Sequence, residues 1–296
     1  MDPNRLRGRI TDQFSYRGER GDVWGAFDLF LETDAFLNLG YSTWYQSHVV
    51  GSCQRRLAAK IGRTLSAHLS STDGARLLDV GCGRGGPAIY FADAYGFDVT
   101  GLDLVPYNVA RARENARDRN VTRDRRVDAE FVVGDATRLP IASGSMTACT
   151  AVDALVYVPE REAVLAEFAD ALQPGGVVVL SDLVVRRDAS DDARDRVARF
   201  AEAWDMPQLG TVRAHERALT DAGLEVIALE NLTANSVGRF RTWTTLFLAL
   251  YATPAGRLVD RVLERRNLDP TAIVEQIRRA HDALPDLRHA LVVART

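Results

Sequence analysis

The hydrophobic pattern of the chain switches between two periods. Short, nearly unbroken apolar runs recur at 77–80, 99–102, 131–133, 147–152, 177–180 and 289–294. Between them, apolar residues return every three or four positions, as in Val105, Val109, Ala112 and Ala116, or Val164, Leu165, Phe168 and Leu172. Unbroken runs suit strands buried on both faces, and the three-to-four spacing suits helices with one apolar side. The alternation predicts an α/β fold with a mostly parallel sheet and helices on both faces.

Turn residues set the boundaries. Strands are expected at 76–80, 98–103, 129–133, 147–152 and 177–180, a further strand beginning near 224–226, and a last one at 289–294. Gly96 stops the first core helix at Tyr95. Pro159 is placed at the first position of a helix that Pro174-Gly175-Gly176 ends. A polar stretch without a strand is expected after Asp182, to about 195. One domain is read throughout: an aromatic-rich helical cap over 1–70 with a helix at 47–69, a core over 71–235, a helical insertion over 236–286, and a closing strand over 287–296.

Charge and cysteines narrow the classes. A net charge of −3 gives no electrostatic reason to expect nucleic acid. Three cysteines without a C-x-x-C pair suit a reducing cytosol, so a cytoplasmic location is expected. No apolar run follows Arg5, Arg7 and Arg9 as a signal peptide requires, and none reaches membrane-spanning length, so no stable membrane insertion is expected. No His/Cys/Asp cluster has metal-ligand spacing, so no metal is expected.

The stretch Asp79-Val80-Gly81-Cys82-Gly83-Arg84-Gly85-Gly86 reads as a strand end, a glycine turn and a helix start. Glycines allow a tight turn and close approach of a ligand, and the helix start offers free N–H groups. Gly81, Gly83 and Gly86 fit the dinucleotide pattern, but Asp79 stands where a pyrophosphate would be repelled. A carboxylate there suits a ligand carrying an ammonium group. Asp103 ends the second strand, about twenty residues after Gly81, the spacing at which a carboxylate accepts ribose hydroxyls.

The D-x-G-x-G-x-G turn, Gly134-Asp135-Ala136 after the third strand, and Pro174-Gly175-Gly176 before the fifth together resemble class I S-adenosylmethionine (SAM)-dependent methyltransferases. The subgroup is that of the UbiE, sterol and natural-product small-molecule enzymes. The resemblance covers about 40–296 and is strongest over 76–183. It implies a Rossmann-like seven-stranded sheet of order 3-2-1-4-5-7-6, the seventh strand antiparallel. It implies SAM as cofactor, S-adenosylhomocysteine (SAH) as product, and a small-molecule acceptor methylated on O, N or C, with a lipophilic or natural-product acceptor in view. A homodimer is left open as a partner. A methyltransferase-fold protein that binds SAM but performs another reaction, such as a cyclisation, is the alternative.

The resemblance also assigns residues. Cofactor contacts fall on Asp79, Gly81, Cys82, Gly83, Gly85, Asp103, Leu104, Asn108, Gly134, Asp135, Ala136 and Asp153, with Asp135 reading the adenine amino group. Related enzymes often carry His after the fourth strand where this chain has Val156 and Tyr157. Asp182 is therefore expected to take the acceptor proton and Tyr157 to position the acceptor. Tyr16, Tyr41, Trp44, Trp204 and Phe240 are expected to line the acceptor.

Overall fold

The computed structural model describes residues 3–15, 26–28, 31–48, 52–121, 127–207 and 209–296. Seven strands form one sheet: β1 (Arg76–Val80), β2 (Asp98–Asp103), β3 (Ala129–Val133), β4 (Met146–Val152), β5 (Leu172–Val185), β6 (Glu225–Asn231) and β7 (Leu287–Arg295). Their order is β3-β2-β1-β4-β5-β7-β6. β1 pairs in parallel with β2 and β4, while β7 runs antiparallel to β5 and β6. This is the order and direction the sequence implied.

The described helices are α1 (Pro3–Phe14), α2 (Cys53–His68), α3 (Gly86–Tyr95), α4 (Pro106–Val121), α5 (Arg161–Ala171), α6 (Asp191–Ala203), α7 (Val212–Asp221), α8 (Val237–Tyr251), α9 (Gly256–Glu264) and α10 (Pro270–Ala283). Strand alternation sends neighbouring residues to opposite layers. Leu77 and Val99 pack with Leu57, Ile61, Leu65 and Phe91 of α2 and α3. Leu78 and Val80 pack with Leu165 and Phe168 of α5 and Leu219 of α7. A third cluster joins α1, α6, α8 and α10 through Ile10, Phe14, Phe200, Phe240 and Ile277. It includes Leu183 and Val185, and so covers the carboxyl end of β5.

Several boundaries differ from expectation. β5 begins at Leu172 and not at 177, so Pro174-Gly175-Gly176 lies within the strand and the preceding helix ends at Ala171. β5 continues to Val185 because Leu183, Val184 and Val185 stay apolar and pair with His289, Arg288 and Leu287 of β7. The helix expected at Pro159 starts at Arg161, after a 3-10 turn at Leu155–Tyr157. The helix expected at 47–69 starts at Cys53, and Ser47, His48 and Ser52 are not helical. Upstream, Gly40 is left-handed (φ 85°) and its N–H donates to the Asn38 side chain.

Candidate functional site

β1 ends in a turn that only glycine builds cheaply. Gly81, Gly83 and Gly85 all have positive φ, and a Cβ on Gly81 would lie 2.4 Å from the Ala154 Cβ. Gly81 and Cys82 donate their N–H groups to Leu102 O, and Gly83 N donates to Asp103 Oδ2 at 2.9 Å. The turn is thereby knitted to the end of β2. Above it lies a cavity of about 1080 Å³, floored by Gly81, Cys82 and Gly83. Its walls are Asp103, Leu104 and Asn108 on one side, Gly134, Asp135 and Ala136 on another, and Asp153 beyond β4. These expected cofactor residues are brought together around one space.

Asp103 and Asp135 stand differently within it. Asp103 Oδ1 accepts from Val105 N (2.8 Å) and Asn108 Nδ2 (3.2 Å), which with Gly83 leaves one lone pair on Oδ2. Burial pushes its carboxyl above the usual range, against the pull of those three donors. Asp135 is half-exposed; Oδ1 accepts from Thr137 N and Oγ1, and Oδ2 pairs with Arg7 at 2.7 Å. Burial works against its charge, yet Thr137, Arg7 and Arg138 hold the group below the usual carboxylate range.

Two expected cofactor residues do not line the cavity. Gly85 instead caps α3 in a left-handed conformation. Asp79 is 1% exposed behind the turn, and neither of its carboxylate oxygens has a hydrogen-bond partner among the described residues. Burial, and then the nearby Asp103 charge, push it up to about 8. An orphaned buried carboxylate at a glycine cradle is a built-in demand for a cation, which fits a ligand bearing an ammonium group.

The roof of the cavity is built by residues of the 1–70 segment other than those singled out from the sequence. α1 contributes Leu6, Arg7, Ile10 and Phe14, and the segment after it contributes Leu37 and Asn38. Arg7 pairs with Asp135, and Arg9 pairs with the buried Asp205.

A second cavity of about 710 Å³ opens beside the first. Phe27, Leu31, Val156, Leu183, Phe200 and Met206 make it apolar, and Trp204 and Phe240 also line it. The two cavities share Leu37, Asn38, Asp153 and Tyr157. Tyr157 packs edge-on against Phe14 at 5.1 Å. Burial, then the charges of Asp153, Asp182 and Asp205, raise its phenol far above its ordinary value, so it stays neutral and is no base.

Asp153 is the most elaborately held group at this junction. Its backbone is left-handed, φ 54°. Oδ1 accepts from Ser181 Oγ (2.6 Å) and from Nε2 of the fully buried His289 (2.8 Å), and Oδ2 accepts from Leu39 N (2.9 Å). Ser236 Oγ lies 2.7 Å from the other ring nitrogen of His289. Burial opposes the Asp153 charge, but His289, Ser181 and Leu39 outweigh it and keep the carboxylate ionised.

Other expected acceptor residues are corrected by the structure. Asp182 lines neither cavity: it points to the opposite face of β5 from Ser181 and meets His215 of α7 at 3.5 Å, in a small apolar recess. Trp44 is 85% exposed, packed only on Tyr45 among its ring contacts. Tyr41 packs against the α2–α3 core, away from both cavities. Tyr16 lies outside the described residues.

Among the described residues, no cluster of His, Cys, Asp or Glu could hold a metal ion, and no helix is long and apolar enough to cross a membrane.

A methyltransferase-domain family model matches residues 78–180, the span carrying the glycine turn, Asp103, Asp135 and Asp153. Methyltransferase GfsG from Streptomyces halstedii is 29% identical over 79% of this chain and 81% of its own length. O-methyltransferase resE from Aspergillus sclerotiorum is 26% identical, over 72% of this chain and 80% of its own. The crystal structure of the [4+2]-cyclase SpnF shares the fold with a TM-score of 0.65 and 22% identity, covering 87% of this chain and 86% of that one.

Proposed function

The chain belongs to the class I SAM-dependent methyltransferases, related to the small-molecule branch, and on that footing we propose that it methylates a lipophilic small molecule held in the second cavity. The observation that carries this reading is the meeting of two cavities, one polar and glycine-floored, one apolar and aromatic, at Leu37, Asn38, Asp153 and Tyr157. SAM, bound in the first cavity, supplies an electrophilic methyl group. Asp103 and Asp135 would hold its ribose and adenine, and Asp79 would offset its ammonium charge. The chain's own contribution is to fix the acceptor at the junction and exclude water there, and most of the rate gain then comes from orientation.

The apolar walls select against charged acceptors, since a buried charge without a partner is costly. Phe27, Phe200, Trp204 and Phe240 offer ring faces and edges to a flat or polycyclic acceptor. The test is incubation of the full chain with methyl-labelled SAM and a panel of lipophilic natural-product acceptors. Label in an extracted product supports the reading. An acceptor converted to an unlabelled isomer assigns the non-methylating alternative.

A further inference from the structure

We propose that Asn38 and Asp153 form a clamp for a hydroxyl group, so that the atom methylated is oxygen; this rests on the methyl-transfer reading above. Both residues lie where the two cavities meet. Gly40 N donates to Asn38 Oδ1 at 3.0 Å, which fixes the amide so that Nδ2 faces away from that turn. Asn38 is 5% exposed, and Nδ2 is buried with no partner among the described residues. An orphaned amide donor of this kind is destabilising unless a ligand satisfies it.

Asp153 offers the complement. Ser181 and His289 fill both lone pairs of Oδ1, and Leu39 N takes one on Oδ2. A carboxylate has about four acceptor positions, so one remains, on Oδ2. The Leu39 bond also ties the residue next to Asn38 directly to Asp153. Asn38 and Asp153, both in the lining that the two cavities share, thus carry one idle donor and one idle acceptor on groups that are otherwise anchored. A hydroxyl gives one hydrogen and accepts at its oxygen, and it completes both.

The same count discriminates between acceptor atoms. A hydroxyl oxygen has two lone pairs, one for Asn38 and one for the incoming methyl. A neutral amine nitrogen has a single lone pair, which the Asn38 donor would occupy. A saturated carbon has none, and an alkene or enolate carbon attacks through π electrons that need neither the Asn38 donor nor the Asp153 acceptor. In the transfer, the oxygen lone pair forms the new O–C bond, the C–S bond breaks, and its electron pair stays on sulfur. The O–H proton passes to Asp153 Oδ2 and later to solvent. A low-pKa carboxylate suffices as acceptor, because the hydroxyl becomes a far stronger acid than a carboxylic acid as the methyl bonds to it. His289 is a positioning residue: its ring holds the Asp153 carboxylate through Oδ1 and lines neither cavity.

The test uses the full chain saturated with SAH, with 2-naphthol and naphthalene as probes, read by calorimetry. Wild type is expected to bind 2-naphthol at least about fivefold tighter than naphthalene, the worth of roughly one hydrogen bond. Asn38→Ala and Asp153→Asn should each cut that preference below about twofold, and because both residues also line the first cavity SAH is kept saturating for each variant. Asp153→Asn keeps an oxygen for Ser181 and His289 and tolerates the left-handed backbone but sets an amide NH2 against Leu39 N, so thermal unfolding first establishes that each variant is folded. No preference in wild type, or a preference surviving both variants, overturns the clamp. A tenfold loss of SAH affinity overturns it too, by assigning these residues to the cofactor. An intact preference without labelled product from any acceptor counts against methyl transfer and leaves the clamp standing.

Discussion

Arg7 of the first helix pairs with Asp135 at 2.7 Å, so the residue expected to read the cofactor's adenine is also the one that fastens the roof of its cavity. Both partners are partly exposed, and pairs of this kind contribute at most about 1 kcal/mol. Arg7→Ala is therefore expected to change SAH affinity by less than about fivefold, mainly through faster release. Asp135→Asn removes the carboxylate from both tasks and should cost at least about tenfold. Surface-plasmon resonance with immobilised protein separates the two rates. Equal effects from both variants would mean that Asp135 matters only as the partner of Arg7.

Asp103 braces the cradle and faces the cavity at once. Replacing it with Ala leaves Gly83 N and Val105 N without their partner and removes the ribose acceptor. SAH affinity should fall at least about tenfold, and thermal stability should fall with it, since each buried donor left unpaired costs about 1–3 kcal/mol. Calorimetry and thermal unfolding on the same sample check both. Wild-type affinity in the folded variant would remove Asp103 from the cofactor site.

Asp79 should make the unliganded protein's stability depend on pH. Its carboxyl is raised to about 8 by burial and by Asp103, whereas in the unfolded chain it ionises near 4. The native state therefore holds a proton that the unfolded state has released over this window. The stability contributed by that proton is fully present below about pH 4 and is lost as pH rises to about 8. Asp79→Asn is expected to flatten this decline in urea titrations. A cation placed beside Asp79 favours its ionised form, so SAM binding at pH 7 should release a proton. Binding heats compared in buffers of different ionisation enthalpy detect it, and Asp79→Asn should abolish the difference. Heats independent of buffer would place the ammonium elsewhere.

The two tryptophans expected at the acceptor should respond in opposite ways. Trp204 is 6% exposed, stacks on Phe27 at 6.3 Å and lines the second cavity, so Trp204→Ala should cost about 3–5 kcal/mol of stability. Trp44 is solvent-exposed, and Trp44→Ala should stay within about 0.5 kcal/mol. Urea unfolding of both variants measures the contrast. A cost above about 2 kcal/mol for Trp44 would show that its ring is buried in solution.

The strands and the glycine turn were legible because each rests on local patterning or a short motif, the strand order followed from the family resemblance those motifs carry, and the same motifs put Asp103 and Asp135 at strand ends beside one cavity. The junction was not legible. Asp153 owes its setting to His289, 136 residues away, and to Leu39, 114 residues away, and no periodicity reports such contacts. Asp182 went astray by a single position. It follows Ser181 on β5, and successive strand residues face opposite layers, so its carboxylate turns to His215 while Ser181 reaches Asp153. Which of the two faces the site depends on the sheet's cover, which only the assembled fold supplies. A helical cap was expected over 1–70, but which of its side chains face the cavity was not legible, because helical spacing in 3–14 does not say what its apolar face covers.

The left-handed backbone at Asp153 narrows what evolution can place there. Among coded residues, Gly, Asn and Asp enter that region at low cost, and β-branched or bulky ones do not. Only Asp in that trio is a carboxylate able to receive a proton. A descendant of this chain that abandoned proton removal would be expected to drift first to Asn or Gly at this one position, long before its cradle or sheet changed. The identity of residue 153 would then serve as a marker of the lineage's chemistry, readable across homologous genes without a structure.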